Sequence, residues 1–139
     1  MQTESSRTRL DWALLIIRLA AGIIFTAHGA QKLFGAFGGP GLAAIVQMLG
    51  PVGYLVSVGE FFGGLGLIMG FLTRFSAASL IVVMIGAIVK VHWPNGFFLD
   101  KRGYEFNLAL IALLAAILIL GAGRFAISRF LPLPQKIIE

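Results

Sequence analysis

This chain has few side chains that could do chemistry. Its 139 residues include six acidic, eleven basic and two histidine side chains, and no cysteine. The last fact alone excludes thiolate catalysis, disulfide exchange and thiolate metal sites. The ionisable groups that interrupt or border apolar sequence are Arg18, His28, Lys32, Glu60, Lys90 and Glu105. These are the candidate ligand-binding residues, and no catalytic residue is assigned among them. A carboxylate, an imidazole and an ammonium that converge can hold a polar head group and carry its protons. A metal site is not expected, because no His-x-x-x-His or Glu-x-x-His pair lies on one helix. His28 and His92 on different helices could in principle hold a haem. On a regular helix, however, His92 points away from the face of Lys90. The Gly-rich stretch from Phe34 to Gly41 has no Lys-Ser/Thr after it and no strand before it, so it is a turn and not a phosphate loop.

The elements that must position these groups follow from composition. Hydrophobic residues make up 58% of the chain and charged residues 12%, about half the charged share of a soluble domain. That excludes a disordered chain, a free cytosolic domain and a nucleic-acid binder. Four segments approach the roughly 20 apolar residues that a membrane span requires: about 12–31, 51–72, 75–91 and 104–123. Strands fail as an alternative, since the runs are apolar at successive positions. The expected fold is all-α, a single domain over residues 1–139, folded as an integral membrane antiparallel four-helix bundle. Between spans 1 and 2, Leu42, Ile45, Val46 and Leu49 repeat at helical spacing. They predict a short amphipathic helix lying at the membrane interface.

Basic residues set the orientation. Arg7, Arg9, Arg18, Arg74, Arg124, Arg129 and Lys136 fall on one side, and Lys32, Lys90, Lys101 and Arg102 on the other. The excess places both termini in the cytoplasm. A cleavable signal peptide ending near Ala27-His28-Gly29 is the rival reading of span 1, and Arg18 inside its apolar run argues against it.

Membrane helices associate through small residues and polar contacts, and each span shows one such face. Span 1 carries Arg18, Gly22, Phe25, Gly29 and Lys32, with His28 on the flank. Span 2 carries Gly59, Gly63, Gly66 and Gly70, with Glu60 and Gly64 beside them. Span 3 offers Ser76, Ser79, Val83, Gly86, Ala87 and Lys90, and span 4 offers Glu105, Ala109, Ala112, Ala116 and Gly123. Glu60 lies roughly 13 Å below the outer end of its span at 1.5 Å per residue. A charge at that depth must be paired, hydrated or protonated. Arg18 and Lys32 bracket it on span 1, and either could reach it. The other ionisable groups gather near the outer ends, and only Arg18 lies toward the inside.

The run Arg18-Leu19, Gly22, Phe25, His28-Gly29, Gln31-Lys32-Leu33-Phe34-Gly35 and Gly38-Gly39 resembles the opening signature of the DoxX family of small bacterial membrane proteins. Gly59-Glu60, Gly63-Gly64, Gly66-Leu67, Gly70, Thr73-Arg74 and Ala77-Ala78 are similar to its second block. Gly96-Phe97-Phe98, Gly103-x-Glu105 and Gly121-Ala122-Gly123-Arg124 are similar to its ending. The resemblance implies a four-helix protein of the bacterial inner membrane. Some members are described as the membrane subunit of a thiosulfate:quinone oxidoreductase, or as partners of thiol- and superoxide-handling enzymes. Related eukaryotic proteins resemble cargo receptors and assembly chaperones. The matching positions are Arg18, His28, Lys32, Glu60, Arg74 and Glu105. Without cysteine, electrons could pass only through a bound cofactor or quinone. Fold kinship does not fix activity.

The expected function is therefore a quinone- or lipid-interacting membrane subunit of a redox or oxidative-stress complex. His28, Lys32 and Glu60, with Glu105 or Lys90 opposite, would meet the head group, and Phe25, Phe34, Phe61 and Trp93 would flank its ring. Quinone is the one cofactor expected. The partners expected are membrane lipid, a soluble redox enzyme and further copies of the chain, and no nucleic acid. A non-catalytic scaffold is the alternative. A small transporter is disfavoured, because no pair of broken helices recurs in the two halves.

Overall fold

The computed structural model describes residues 4–132 and 134, and among them every regular element is helical. Helix α1 runs over Glu4–Phe34, α2 over Gly41–Leu49, α3 over Val52–Met69, α4 over Thr73–Ala87 and α5 over Glu105–Leu120. The stops are written in the sequence. Gly70 adopts φ 70° after α3, and the Phe71 N–H reaches back to the Gly66 carbonyl at 2.9 Å. This is a Schellman ending, which needs a residue at ease in the left-handed region. Gly121, at φ 83°, ends α5 in a similar spirit, its N–H resting on the Ile117 carbonyl.

Three segments are long and apolar enough to cross a membrane: Glu4–Phe34, Val52–Met69 and Thr73–Asn95. The third is longer than α4 because the chain continues through a π-helical turn, Ile88–His92, and a 3-10 turn, Trp93–Asn95. The fourth apolar element, α5, has 16 residues, about 24 Å at 1.5 Å per residue. It is shorter than its sequence run, because Gly121 stops it before Gly123. The amphipathic α2 forms over the expected stretch, with Ile45 buried against Gly53 at the start of α3.

Each helix packs antiparallel on the next. Helix α1 lies along α3, α3 along α4 and α4 along α5, and α5 returns beside α1. The α1–α3 pair is the closest. A Cβ on Gly22 would run into the Gly64 carbonyl, and one on Gly29 into the Phe61 backbone. Glycine is required at these positions because the two backbones touch. The core between the helices is built from Phe25, Leu67, Leu80, Leu114 and Ile117, each under 2% exposed. Large apolar side chains such as Ile16, Leu55, Phe62, Val82 and Ile119 point outward. That arrangement would be a liability in water and is ordinary against lipid tails.

Two of the expected faces are differently oriented. Helix α4 buries Thr73, Ser76, Ala77, Leu80 and Met84, and α5 buries Asn107, Leu110, Leu114 and Ile117. Gly86, Ala109 and Ala112 face outward. Helix α4 thus buries small residues in its first half, the expected Ser76 among them, and large ones further on, whereas α5 buries Leu110, Leu114 and Ile117 beside Asn107. The glycines of α3 are divided among neighbours: Gly64 faces α1, Gly63 and Gly66 face Leu80 and Ser76 of α4, and Gly59 faces open space.

Candidate functional site

The α1–α3 contact sets up the central pair of the site. Because Gly29 lets Phe61 of α3 come against α1, the next residues along each helix meet. Lys32 Nζ donates to Glu60 Oε2, with the Lys32 side chain 23% and the Glu60 side chain 3% exposed. Of the two cations that bracket Glu60, Lys32 is the partner. Arg18 is occupied elsewhere.

The pair opens onto a cavity of about 280 Å³ between the α1–α3 and α4–α5 halves. Helix α1 contributes Phe25, His28 and Lys32, and α3 contributes Glu60. Met84 and Ala87 come from α4, and His92 from the π-helical turn. The loop over residues 96–105 supplies Leu99 and Gly103, and α5 supplies Phe106, Asn107 and Leu110. Two other hollows are larger, about 640 and 500 Å³. Each is a shallow depression, whereas the smaller cavity gathers ionisable and amide groups from several helices. Convergence of polar groups, not volume, marks a binding site.

His92 and Asn107 are the residues that sequence reasoning discounted or missed. His92 reaches the cavity because its turn is π-helical. An i→i+5 ladder brings His92 onto the face of Ala87, five residues earlier, where a 3.6-residue repeat carries it well round. His92 Nδ1 lies 2.7 Å from the Arg102 carbonyl oxygen. A carbonyl can only accept, so Nδ1 carries the proton and Nε2 is the remaining ring nitrogen. Asn107 is 7% exposed, and its Nδ2 donates to Met84 Sδ at 3.4 Å. A thioether is a weak acceptor, so this amide is nearly unspent. The available signal was a single amide inside the apolar run that follows Phe106.

The remaining expected residues lie elsewhere. Arg18 is 1% exposed at the other end of the bundle. Its Nε donates to the Leu67 carbonyl at 2.9 Å, Nη2 to Ile68 at 3.2 Å and Phe125 at 3.1 Å, and Nη1 to Ala122. It thereby caps the last turn of α3 and ties in the segment after α5. Arg74 does the same for α5, donating to the Ile119 carbonyl at 3.2 Å. Lys90 is exposed and does not line the cavity. Glu105 Oε1 accepts the Leu99 N–H at 2.6 Å and so holds the 96–105 loop in shape. Of the expected aromatics, Phe25 lines the cavity. Phe34 packs edge-on against Phe61 at 5.3 Å, and Trp93 stacks on Tyr104 at 5.5 Å.

The DoxX family profile matches residues 13–93, more than half of the chain. The chain belongs to the DoxX family. Within this DoxX protein the matched stretch contains His28, Lys32, Glu60 and His92 and stops before Asn107 and the Gly103-x-Glu105 and Gly121–Arg124 blocks. A Bacillus subtilis (strain 168) protein named "Putative oxidoreductase CatD" is 27% identical over 105 residues, covering 71% of this chain and 73% of the relative. A Haemophilus influenzae protein is 34% identical over 62 residues, covering 45% of this chain and 41% of the relative. No solved structure matches. With its apolar, outward-facing helices, this DoxX chain is a membrane protein.

Proposed function

We propose that this chain is a four-span protein of the bacterial inner membrane, with both termini cytoplasmic. Its outer cavity binds a quinone-type head group, and the chain serves as a membrane subunit of a redox or oxidative-stress complex. The observation that carries this reading is the Lys32–Glu60 pair opening onto the same cavity as Asn107 and His92. A quinone presents two carbonyl acceptors on opposite edges of a flat ring. The cavity offers a donor on each wall, the Lys32 ammonium on the α1–α3 side and the Asn107 amide on the α4–α5 side. Phe25, Phe106 and Leu110 give it apolar surface between them. At about 280 Å³ it sits near the lower end of small-molecule pockets, which begin at roughly 300 Å³. That suits a head group whose tail leaves between the helices.

When bound, a quinone supplies a two-electron, two-proton carrier, which a chain without cysteine lacks. The residues do the rest: Lys32 and Asn107 orient the ring, and Glu60 holds or releases a proton beside it. His92 and the exposed His28 line the same cavity as that carboxylate. The similarity to a relative named as an oxidoreductase supports a redox association. A soluble redox enzyme would supply or remove the electrons.

The test is to purify the chain in mild detergent from quinone-containing membranes and measure the quinone extracted with it. Wild type retains quinone, and Glu60→Gln and His28→Ala retain less. Absence of quinone from wild type, or normal retention in both variants, ends the proposal. Co-purification of a soluble redox enzyme with no small ligand supports the scaffold reading instead.

A further inference from the structure

We infer that the cavity prefers its ligand in the reduced state, as a hydroquinone with two O–H groups, over the oxidised quinone. This rests on the quinone-type reading of the site and adds the redox form that the site selects. It follows from the acceptors that the cavity presents. Glu60 is buried, and only one of its carboxylate oxygens is engaged: Oε2 accepts from Lys32, and Oε1 has no partner among the described residues. His92 Nδ1 donates to the Arg102 carbonyl at 2.7 Å, and Asn95 Nδ2 meets the same carbonyl at 3.3 Å. Arg102 lies in the left-handed region at φ 61°, closing a turn in which its own N–H donates to the Leu99 carbonyl at 2.8 Å. The loop thereby fixes the neutral His92 in one tautomer, with Nε2 an acceptor. Asn107 Oδ1 likewise meets no donor among the described residues. Unengaged acceptors thus belong to side chains on both walls, Glu60 on the α1–α3 side and His92 and Asn107 on the α4–α5 side.

A quinone has two carbonyl oxygens and no donor. It accepts from Lys32 and from the Asn107 amide, but it gives Glu60 and His92 nothing. A buried acceptor left without a donor is expensive, most of all a carboxylate. A phenolic hydroxyl both donates and accepts. One hydroxyl of a hydroquinone donates to Glu60 Oε1 while accepting from Lys32. The other donates to His92 Nε2 while accepting from Asn107 Nδ2. One ligand then pairs all four groups, and the bond to the charged carboxylate is the stronger of the two donations. His28 is exposed and holds no hydrogen bond among the described residues, so its ring can turn to serve either form and does not discriminate. Selection of the reduced form raises the midpoint potential of the bound couple, by about 30 mV for each tenfold of preference.

Anaerobic equilibrium dialysis of the full chain in detergent, stripped of native quinone, tests this with three probes that share one ring and one short alkyl tail. They are a benzoquinone, its hydroquinone and the dimethyl ether of that hydroquinone, which keeps both oxygens and has no donor. Wild type binds the hydroquinone about tenfold more tightly than the quinone, the worth of a hydrogen bond to a charged acceptor. The ether binds no more tightly than the quinone. His92→Phe keeps a flat ring without an acceptor and lowers the preference to about threefold, the share left to Glu60. The preference is a ratio within one protein, so a partly folded variant cannot imitate its loss. Equal or tighter binding of the quinone by wild type, an ether as tight as the hydroquinone, or an undiminished preference in His92→Phe overturns the inference. If His92→Phe does not fold, the three probes on wild type decide it. Binding of the quinone without preference ends this inference alone, whereas binding of none of the three ends the quinone-type reading with it.

Discussion

Lys32 on α1 and Glu60 on α3 form one ion pair at the wall of the cavity between the two helix pairs, and Glu60 is almost wholly enclosed while Lys32 keeps a partly open side. The asymmetry matters. The carboxylate depends on its partner for compensation, whereas the ammonium can turn toward a ligand without leaving the pair. Removing either charge strands the other in a poorly solvated place.

Lys32→Met and Glu60→Gln are therefore each expected to destabilise the protein by about 3 kcal/mol. The double variant should fall short of additivity by about 1–3 kcal/mol. Unfolding of the four proteins in a constant detergent mixture measures the coupling. Strict additivity would show that the two charges do not stabilise one another.

The glycines of α1 and α3 separate close approach from mere smallness. Gly29→Ala places a methyl against the Phe61 backbone, which cannot yield without parting the helices, and should cost about 2 kcal/mol. Gly59→Ala enters open space on α3 and should gain about 0.5–1 kcal/mol from the lost backbone freedom of the unfolded chain. Thermal unfolding of both variants reads the contrast, and equal effects would contradict the packing described.

Arg18 serves four carbonyls from two segments, the end of α3 and the stretch after α5. Arg18→Met takes this donor from all four, and only the Leu67 carbonyl keeps another, the Gly70 N–H; stability should fall by about 3 kcal/mol, since unsatisfied buried carbonyls are expensive. Arg18→Lys should recover little of this, because a compact ammonium has three donors and none of the planar spread of a guanidinium. Recovery of full stability in the lysine variant would show that charge, and not geometry, is what the site needs.

Asn107 is expected to matter to binding more than to folding. Its amide is bonded only to a thioether, so Asn107→Leu should alter stability by less than about 1 kcal/mol. Quinone retention should nevertheless fall about fivefold or more, the usual worth of a hydrogen bond. Lys90→Ala, at an exposed position outside the cavity, should leave retention unchanged. The reverse ranking would move the site away from Asn107.

Much of this protein is legible from apolar run length and glycine position. Spans 1 and 2, the short helix around Ile45 and the inward turn of Lys32 and Glu60 all follow from them. Two features do not. The inward face of span 3 reads as continuing to Lys90, but the backbone widens over Ile88–His92, and His92, away from Lys90, is the residue that reaches the cavity. Nothing in Ile-Val-Lys-Val-His announces a π-helical turn. The buried faces of α4 and α5 were misassigned for a different reason. Small residues mark the close α1–α3 contact at Gly22 and Gly64 and the α3–α4 contact at Gly66 and Ser76, but α5 turns Leu110, Leu114 and Ile117 to the core instead of its alanines. Arg18, which its place along α1 sets toward the inside, stands among the candidate ligand-binding residues by type and does not line the cavity.

The distribution of these links gives the molecule one stiff end and one yielding end. Arg18 fastens α1 and α3 to the segment after α5. At the far end, among the described residues, no hydrogen bond joins the α1–α3 half to the α4–α5 half. The molecule is thus built like a clothes-peg, sprung at the arginine and gripping at the rim. Spreading its jaws sacrifices only dispersion contacts such as those of Phe25 with the opposite half. Whatever enters the chamber between Glu60 and Asn107 can do so sideways from the lipid, without unlatching a single polar bond.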